Sequence, residues 1–247
     1  MDVTVLPALA DNYIYLLRER GDAFVVDPGV AAPVRDALAA QDLTLRGIML
    51  THYHSDHIGG VAALRTAFPG TTLYLPKHEA NEIPGVKPDT DHLLVGGDTF
   101  VLGSWSFRAL ALPGHSKGHM GFYTSGHLFC GDVLMPLGCG RVFTDDYRAA
   151  WESLRRIRAL PDETLTYFGH EYTGSNLRFM QHIGMDIPPE IIAQAQKEKT
   201  APFLLGIDKA YNGFLRADRP EVAALVGLEN RPGWEVFKTL RQQKDAF

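Results

Sequence analysis

The stretch Thr51-His52-Tyr53-His54-Ser55-Asp56-His57 follows directly on the apolar run Gly47 to Leu50. It places four potential metal ligands, His52, His54, Asp56 and His57, within six residues. If strand geometry carries on through the first histidines, His52 and His54 point to the same side, because strand side chains repeat every second residue. Asp56 and His57 then fall at the turn into a following helix. One ion can take the two spaced imidazoles and a neighbouring ion the Asp-His pair, a pattern with no ready packing explanation. Gly59-Gly60 stays open to two readings, a helix start or small residues that let backbone approach the metals.

Further donors follow other apolar runs. His115 comes after Phe107 to Leu112, Asp132 after Leu128 to Cys130, and His170 after Leu165 to Phe168, each beside a glycine. In α/β architectures, ligand sites lie outside the carboxyl ends of strands. Several strand ends that each deliver a His or Asp therefore point to one cleft. His119 shares a turn with His115 and reads as a supporting group, since ligands need partners that orient them. His78, His92, His127 and His182 belong to no motif and read as ordinary surface or hydrogen-bonded residues.

The 247 residues carry 24 Lys+Arg against 29 Asp+Glu, a formal net charge of −5, with 45% hydrophobic and 21% charged residues. This is the composition of an ordinary globular protein. The acidic balance argues against nucleic acid as a partner. No apolar run approaches the roughly 18 residues of a membrane-spanning helix, so no membrane association is expected. Met1-Asp2-Val3-Thr4 lacks the basic start of a secretory signal, and the chain has only Cys130 and Cys139, so a cytoplasmic location is expected.

Short β-rich runs alternate with helical patches through the first 170 residues, which predicts an α/β domain over 1–170. Pro33 opens a predicted helix to about Ala40, and Ile58 to Phe68 predicts another. A third places Trp151, Leu154, Ile157 and Leu160 on one stripe, with Asp145 and Asp146 at its start. From about Glu171 the strand signal ends. The remainder, 171–247, reads as a small helical domain with helices from Pro188-Pro189 to about Lys199 and from Gly233 to Lys244.

The set His52-x-His54-x-Asp56-His57, His115, Asp132 and His170 resembles the metallo-β-lactamase superfamily. Further blocks narrow the resemblance to its glyoxalase II (hydroxyacylglutathione hydrolase) family. They are Leu6-Pro7-Ala8-Leu9-Ala10-Asp11-Asn12-Tyr13, Gly138-Cys139-Gly140-Arg141, Gly169-His170-Glu171-Tyr172-Thr173, Ser175-Asn176-Leu177-Arg178-Phe179 and Leu240-Arg241-Gln242-Gln243-Lys244-Asp245. The resemblance implies an αβ/βα four-layer sandwich followed by a C-terminal α-helical domain. It implies two divalent metal ions, zinc first with iron or manganese as alternatives, and a glutathione thioester as substrate. His52, His54 and His115 would hold one ion, Asp56, His57 and His170 the other, and Asp132 would bridge them.

The implied reaction is metal-dependent hydrolysis of S-(2-hydroxyacyl)glutathione, S-D-lactoylglutathione above all, to D-lactate and glutathione, a step of methylglyoxal detoxification. A metal-bridging hydroxide, positioned at Asp56 and His57, would be the nucleophile. The glutathione-binding residues map onto Arg141, Tyr172, Arg241 and Lys244. Arg241 and Lys244, at i and i+3 of a predicted helix, can clasp a carboxylate; apart from the family they read as a solvated basic helix end. Phe143 stands where some members place a tyrosine on glutathione, Tyr53 where a further histidine is common, and Thr144-Asp145 where Glu-Gly is usual. The segment 203–208 also departs from the family pattern. A monomer is expected. Two alternatives stay in view: a glutathione persulfide dioxygenase of the same superfamily, and a non-catalytic glutathione- or metal-binding protein.

Overall fold

A computed structural model describes all 247 residues. Its strands are β1 (Asp2–Ala8), β2 (Asn12–Glu19), β3 (Asp22–Val26), β4 (Thr44–Met49), β5 (Thr72–Pro76), β6 (His92–Leu94), β7 (Thr99–Leu102), β8 (Trp105–Ala111), β9 (Met120–Thr124), β10 (His127–Gly131), β11 (Leu134–Met135), β12 (Gly138–Cys139), β13 (Leu165–Phe168) and β14 (Phe203–Leu204). Its helices are α1 (Ala32–Ala40), α2 (Ser55–Ile58), α3 (Val61–Ala67), α4 (Tyr147–Arg158), α5 (Thr173–His182), α6 (Pro189–Ala195), α7 (Leu205–Tyr211), α8 (Pro220–Leu225) and α9 (Gly233–Ala246). The chain forms two compact units, Met1–Ala111 with Gly118–Gly131, and Leu112–Lys117 with Asp132–Phe247.

In the first unit one sheet runs β1-β2-β3-β4-β5-β6, antiparallel through β3 and parallel from β3 to β6. The alternation of each strand decides its two faces. Ile14 and Leu16 of β2, Val25 of β3 and Ile48 of β4 pack with Val34 and Leu38 of α1 and with Val61 and Leu64 of α3. Residues of the opposite parity meet a second, antiparallel sheet that runs β10-β9-β8-β7 within this unit. There Tyr15 lies edge-on to Phe129 at 5.8 Å, Phe24 to Trp105 at 6.1 Å, and Tyr74 stacks on Phe100 at 5.0 Å. Such ring pairs add about 0.5–1.5 kcal/mol each beyond their buried area.

In the second unit α4 begins where the Asp146 carboxylate accepts from the Ala149 N–H at 2.9 Å. Its buried stripe includes Trp151, Leu154 and Ile157, and Trp151 stacks on Phe237 of α9 at 6.0 Å. The expected stripe is therefore the packed one. Helices α5 to α9 make up most of the chain after residue 171.

Several expectations need correction. The helix predicted over 58–68 is broken into α2 and α3, because the Gly60 N–H bonds to the Pro28 carbonyl at 2.8 Å rather than to its own helix. A Cβ on Gly60 would lie 2.5 Å from that carbonyl oxygen, so the glycine pair is there for close backbone approach, to the 28–31 segment. Beyond Glu171 the strand signal does not end entirely: β14 pairs antiparallel with β13, Thr166 opposite Phe203. The helix after Pro188 stops at Ala195, short of Lys199. Finally, β4 ends at Met49, so His52 and His54 lie beyond the strand.

Candidate metal centre

His52 to His54 leave β4 in a loop, and His54, at φ −61° and ψ 142°, is the residue before α2. This extended backbone brings the His52 and His54 rings to 4.6 Å between centroids, and the His57 ring lies 4.2 Å from that of His52. Strand geometry is not what pairs the histidines; a short extended linker is.

A chain of hydrogen bonds fixes which ring nitrogen each imidazole offers. The Asp27 carboxylate, 4% exposed, accepts from the Thr51 N–H at 2.8 Å and from the Thr51 hydroxyl at 2.7 Å. With its proton committed there, Thr51 Oγ1 accepts from His52 Nδ1 at 3.0 Å. Asp27 Oδ2 also lies 3.1 Å from His57 Nδ1, which donates to it. Both rings therefore carry a proton on Nδ1, which leaves Nε2 as the nitrogen a metal ion would take. Asp27, His52 and His57 offer atoms within 4.8 Å of one another.

His57 Nε2 faces Asp56 Oδ2 at 3.5 Å, and the Asn12 amide donates to that same oxygen at 3.0 Å. An imidazole nitrogen and a carboxylate oxygen that face each other in this way form a donor set for a metal ion. The arrangement fits a divalent ion. Glu79, buried on a 3-10 turn over Lys77–Glu82, braces the loop from behind. Its carboxylate accepts from the Tyr53 N–H at 3.0 Å and the Gly118 N–H at 2.8 Å. His119 stacks on His52 at 4.7 Å.

The second unit repeats this logic. His115 Nδ1 donates to the Arg141 carbonyl at 3.0 Å, which leaves Nε2 as the nitrogen that faces Asp132 Oδ2, at 3.4 Å. His170 Nε2 lies 3.2 Å from the same oxygen. All three residues are buried. The Thr144 hydroxyl donates to the Gly114 carbonyl at 2.7 Å, so the Thr144-Asp145 departure ties down the turn that carries His115.

The other expected residues belong to the same unit. Phe143, 62% exposed, meets His115 edge-on at 5.2 Å, and Tyr172 stacks on His170 at 4.9 Å. Arg141 is exposed and lies 3.6 Å from Asp245. Arg241 is not a solvated helix end: it is 4% exposed, donates to the Cys139 carbonyl at 2.7 Å and pairs with Asp245 at 3.1 Å. Lys244 donates to Ser175 Oγ at 2.7 Å. Its pKa is pulled below the ordinary lysine value, first by burial and then by Arg241, Arg178 and Arg141, with Asp245 opposing. Such a group of cations suits an anion. Burial holds the Cys139 thiol up at about 11 against the pull of Arg241, so it is no nucleophile near neutrality.

Residues 10–170 match the family model described as Metallo-beta-lactamase superfamily, and 171–247 match Hydroxyacylglutathione hydrolase C-terminus. The hydroxyacylglutathione hydrolase of Edwardsiella ictaluri (strain 93-146) is 40% identical over 258 residues, which cover 100% of both chains. The chain belongs to the hydroxyacylglutathione hydrolase family. Among solved structures, the BLEG-1 B3 metallo-beta-lactamase is similar at 26% identity and a TM-score of 0.67, over 87% of this chain and 99% of that one. TTHA1623, solved in a di-iron-bound form, is similar at 28% identity and a TM-score of 0.57, over 67% of this chain and 90% of that one. As a hydroxyacylglutathione hydrolase, the chain has the metallo-β-lactamase fold with a C-terminal helical region, and its His and Asp groups bind divalent metal. No helix is long and apolar enough to cross a membrane.

Asp27, Thr51, Glu79 and Asn12 were not among the sequence-predicted site residues. Asp27 carried a usable signal: it follows the run Ala23 to Val26 and sits beside Pro28-Gly29, a strand end like those that deliver the ligands. Asn12 stood within the block Leu6 to Tyr13 but with no role read from it, and Glu79 had no signal, because both roles depend on loops brought together only by folding.

Proposed function

We propose that this hydroxyacylglutathione hydrolase cleaves S-D-lactoylglutathione to D-lactate and glutathione, with two ions held by His52, His54 and His115 and by Asp56, His57 and His170, bridged by Asp132. The observation that supports this reading is the set of imidazole nitrogens that face carboxylate oxygens, His57 Nε2 with Asp56 and His115 Nε2 with Asp132, in rings whose Nδ1 atoms are engaged elsewhere. Imidazole and carboxylate donors suit zinc, with iron and manganese as alternatives. Bound dications supply Lewis acidity, which acidifies water and polarises a carbonyl oxygen.

The chain's own residues supply orientation. Asp27, directly for His57 and through Thr51 for His52, orients the two rings, and Asp56 is held by Asn12, so all three groups at this end of the site are preset. Arg141, Tyr172, Arg241 and Lys244 bind glutathione: the cations attract its carboxylates, and Tyr172 and exposed Phe143 offer apolar surface beside the acyl group. Water adds to the thioester carbonyl carbon, the C–S bond breaks, and the sulfur leaves as a thiolate that takes a proton from solvent. A thiolate is stable enough near neutrality that no strong protein acid is needed. Residues 1–170 would carry the metals and 171–247 most of the glutathione contacts, in a cytoplasmic monomer.

The test is loss of thioester absorbance from S-D-lactoylglutathione under anaerobic conditions, with rates matched to metal content, for wild type and His54→Ala. Metal-dependent turnover that is lost in the variant supports the reading. No turnover by the fully metallated protein would overturn the substrate assignment, and turnover only with oxygen would revive the dioxygenase alternative.

A further inference from the structure

Between Asp132 and Phe143 runs a strap, Pro136 to Arg141, whose backbone is held from afar at almost every residue. Asn176 of α5 donates to the Pro136 carbonyl at 3.1 Å, and Asp208 of α7 accepts from the Leu137 N–H at 2.7 Å. Asn212, closing α7, donates to the Gly138 carbonyl at 3.0 Å, and Arg241 of α9 to the Cys139 carbonyl at 2.7 Å. At the far end the Arg141 carbonyl takes the His115 Nδ1 proton. Leu137 sits at φ 56°, a left-handed conformation that a leucine keeps only where its surroundings enforce it.

Asp208 is the odd member of this set. It is fully buried, its Oδ1 also accepts from the Asn212 amide at 3.0 Å, its Oδ2 has no partner, and no cation pairs with it. A buried, unpaired carboxylate costs stability. Besides the Asn212 amide, it holds one backbone N–H, that of Leu137, at the start of the strap. We propose that Asp208 is a positioning residue for thioester hydrolysis: by fixing Leu137 it sets the strap, so that Arg141 presents its guanidinium to glutathione while its carbonyl holds the His115 ring. This rests on the reading that Arg141 touches glutathione and His115 ligates an ion.

The experiment measures KM and kcat with S-D-lactoylglutathione, and metal retention against a chelator, in Asp208→Leu, Asp208→Asn, Arg141→Ala and the Asp208→Leu/Arg141→Ala pair. Leucine fills the space without an acceptor; asparagine keeps one. Asp208→Leu is expected to raise KM about tenfold, in line with the cost of a small misplacement of a binding group. Asp208→Asn is expected to recover KM to within about threefold of wild type, and the double variant to raise KM no further than Arg141→Ala alone, as residues that act through one another do. An unchanged KM in Asp208→Leu beside a raised KM in Arg141→Ala overturns the proposal, as do additive effects. An unchanged KM in Arg141→Ala overturns the glutathione reading instead; the proposal then requires metal retention in Asp208→Leu to fall about tenfold through His115, and fails if it does not. Asp208→Ala stands in if the leucine variant does not fold, and failure of both to fold overturns a positioning role in favour of a purely structural one.

Discussion

Asp27 Oδ2 and His57 Nδ1 meet at 3.1 Å, and the same carboxylate reaches His52 through the Thr51 hydroxyl. One buried side chain thus sets two metal-binding rings. Asp27→Ala should leave both free to turn or change tautomer, with metal affinity lowered about 10–100-fold. Chelator competition followed by metal analysis measures this, and wild-type retention would show that the rings are held by other means.

Glu79 accepts from two backbone N–H groups, those of Tyr53 and Gly118. Glutamine has one acceptor oxygen, so Glu79→Gln must turn an NH₂ group toward one of those donors. We expect a loss of about 1–3 kcal/mol in urea unfolding of the metal-loaded protein, the cost of a buried donor left unpaired. Identical midpoints for the two proteins would refute the brace.

Burial raises the Asp208 pKa from the ordinary carboxylate value of 3.8 to about 7, while bonds from Leu137 and Asn212 pull it down. Between those values the folded protein keeps a proton that the unfolded chain has already lost, so stability falls as pH rises through this window and levels off above it. Asp208→Asn removes the titration. Its Tm relative to wild type should therefore climb from about pH 4 to about pH 7, then stay flat, the total gain being on the order of a few kcal/mol. A pH-independent difference in thermal melts would contradict this assignment.

A Cβ on Gly29 would fall 1.9 Å from the Asp56 carbonyl oxygen, a backbone atom that cannot step aside. Gly29→Ala should push the Asp56-His57 turn out of place and reduce kcat/KM by about 100-fold. Gly21→Ala, where nothing lies within 4 Å of the added atom, serves as the control and should stay near wild type. Equal activity of the two variants would mean that the ligand turn tolerates displacement.

What could be read in advance followed local rules. The seven proposed ligand positions stood out because His and Asp recur just after apolar runs, and α4 because Trp151, Leu154 and Ile157 share a stripe that starts at an Asp146 cap. The break between α2 and α3 was ambiguous in one dimension: Gly59-Gly60 looks the same as a helix start until the 28–31 segment comes to lie against it. β14 is two residues long and is a strand only because Leu165 and Thr166 pair with it. Arg241 looked like a free basic group, yet its partner is a carbonyl 102 positions away, which no periodicity reports. The braces around the site, Glu79 and Asn12 among them, were hidden for the same reason.

The strap has a consequence for the order in which the molecule becomes competent. Its anchors reach across 40, 71, 74 and 102 positions of chain. Contacts of such span form late, because the intervening chain must be closed into a loop before they yield anything. During synthesis all of the proposed ligand residues emerge before α7 and α9, so a nascent chain holds these donors before the strap that bears Arg141 can be anchored. On the proposed role of the strap, hydrolysis would wait for α9, and a product cut short before it is expected to turn over no thioester.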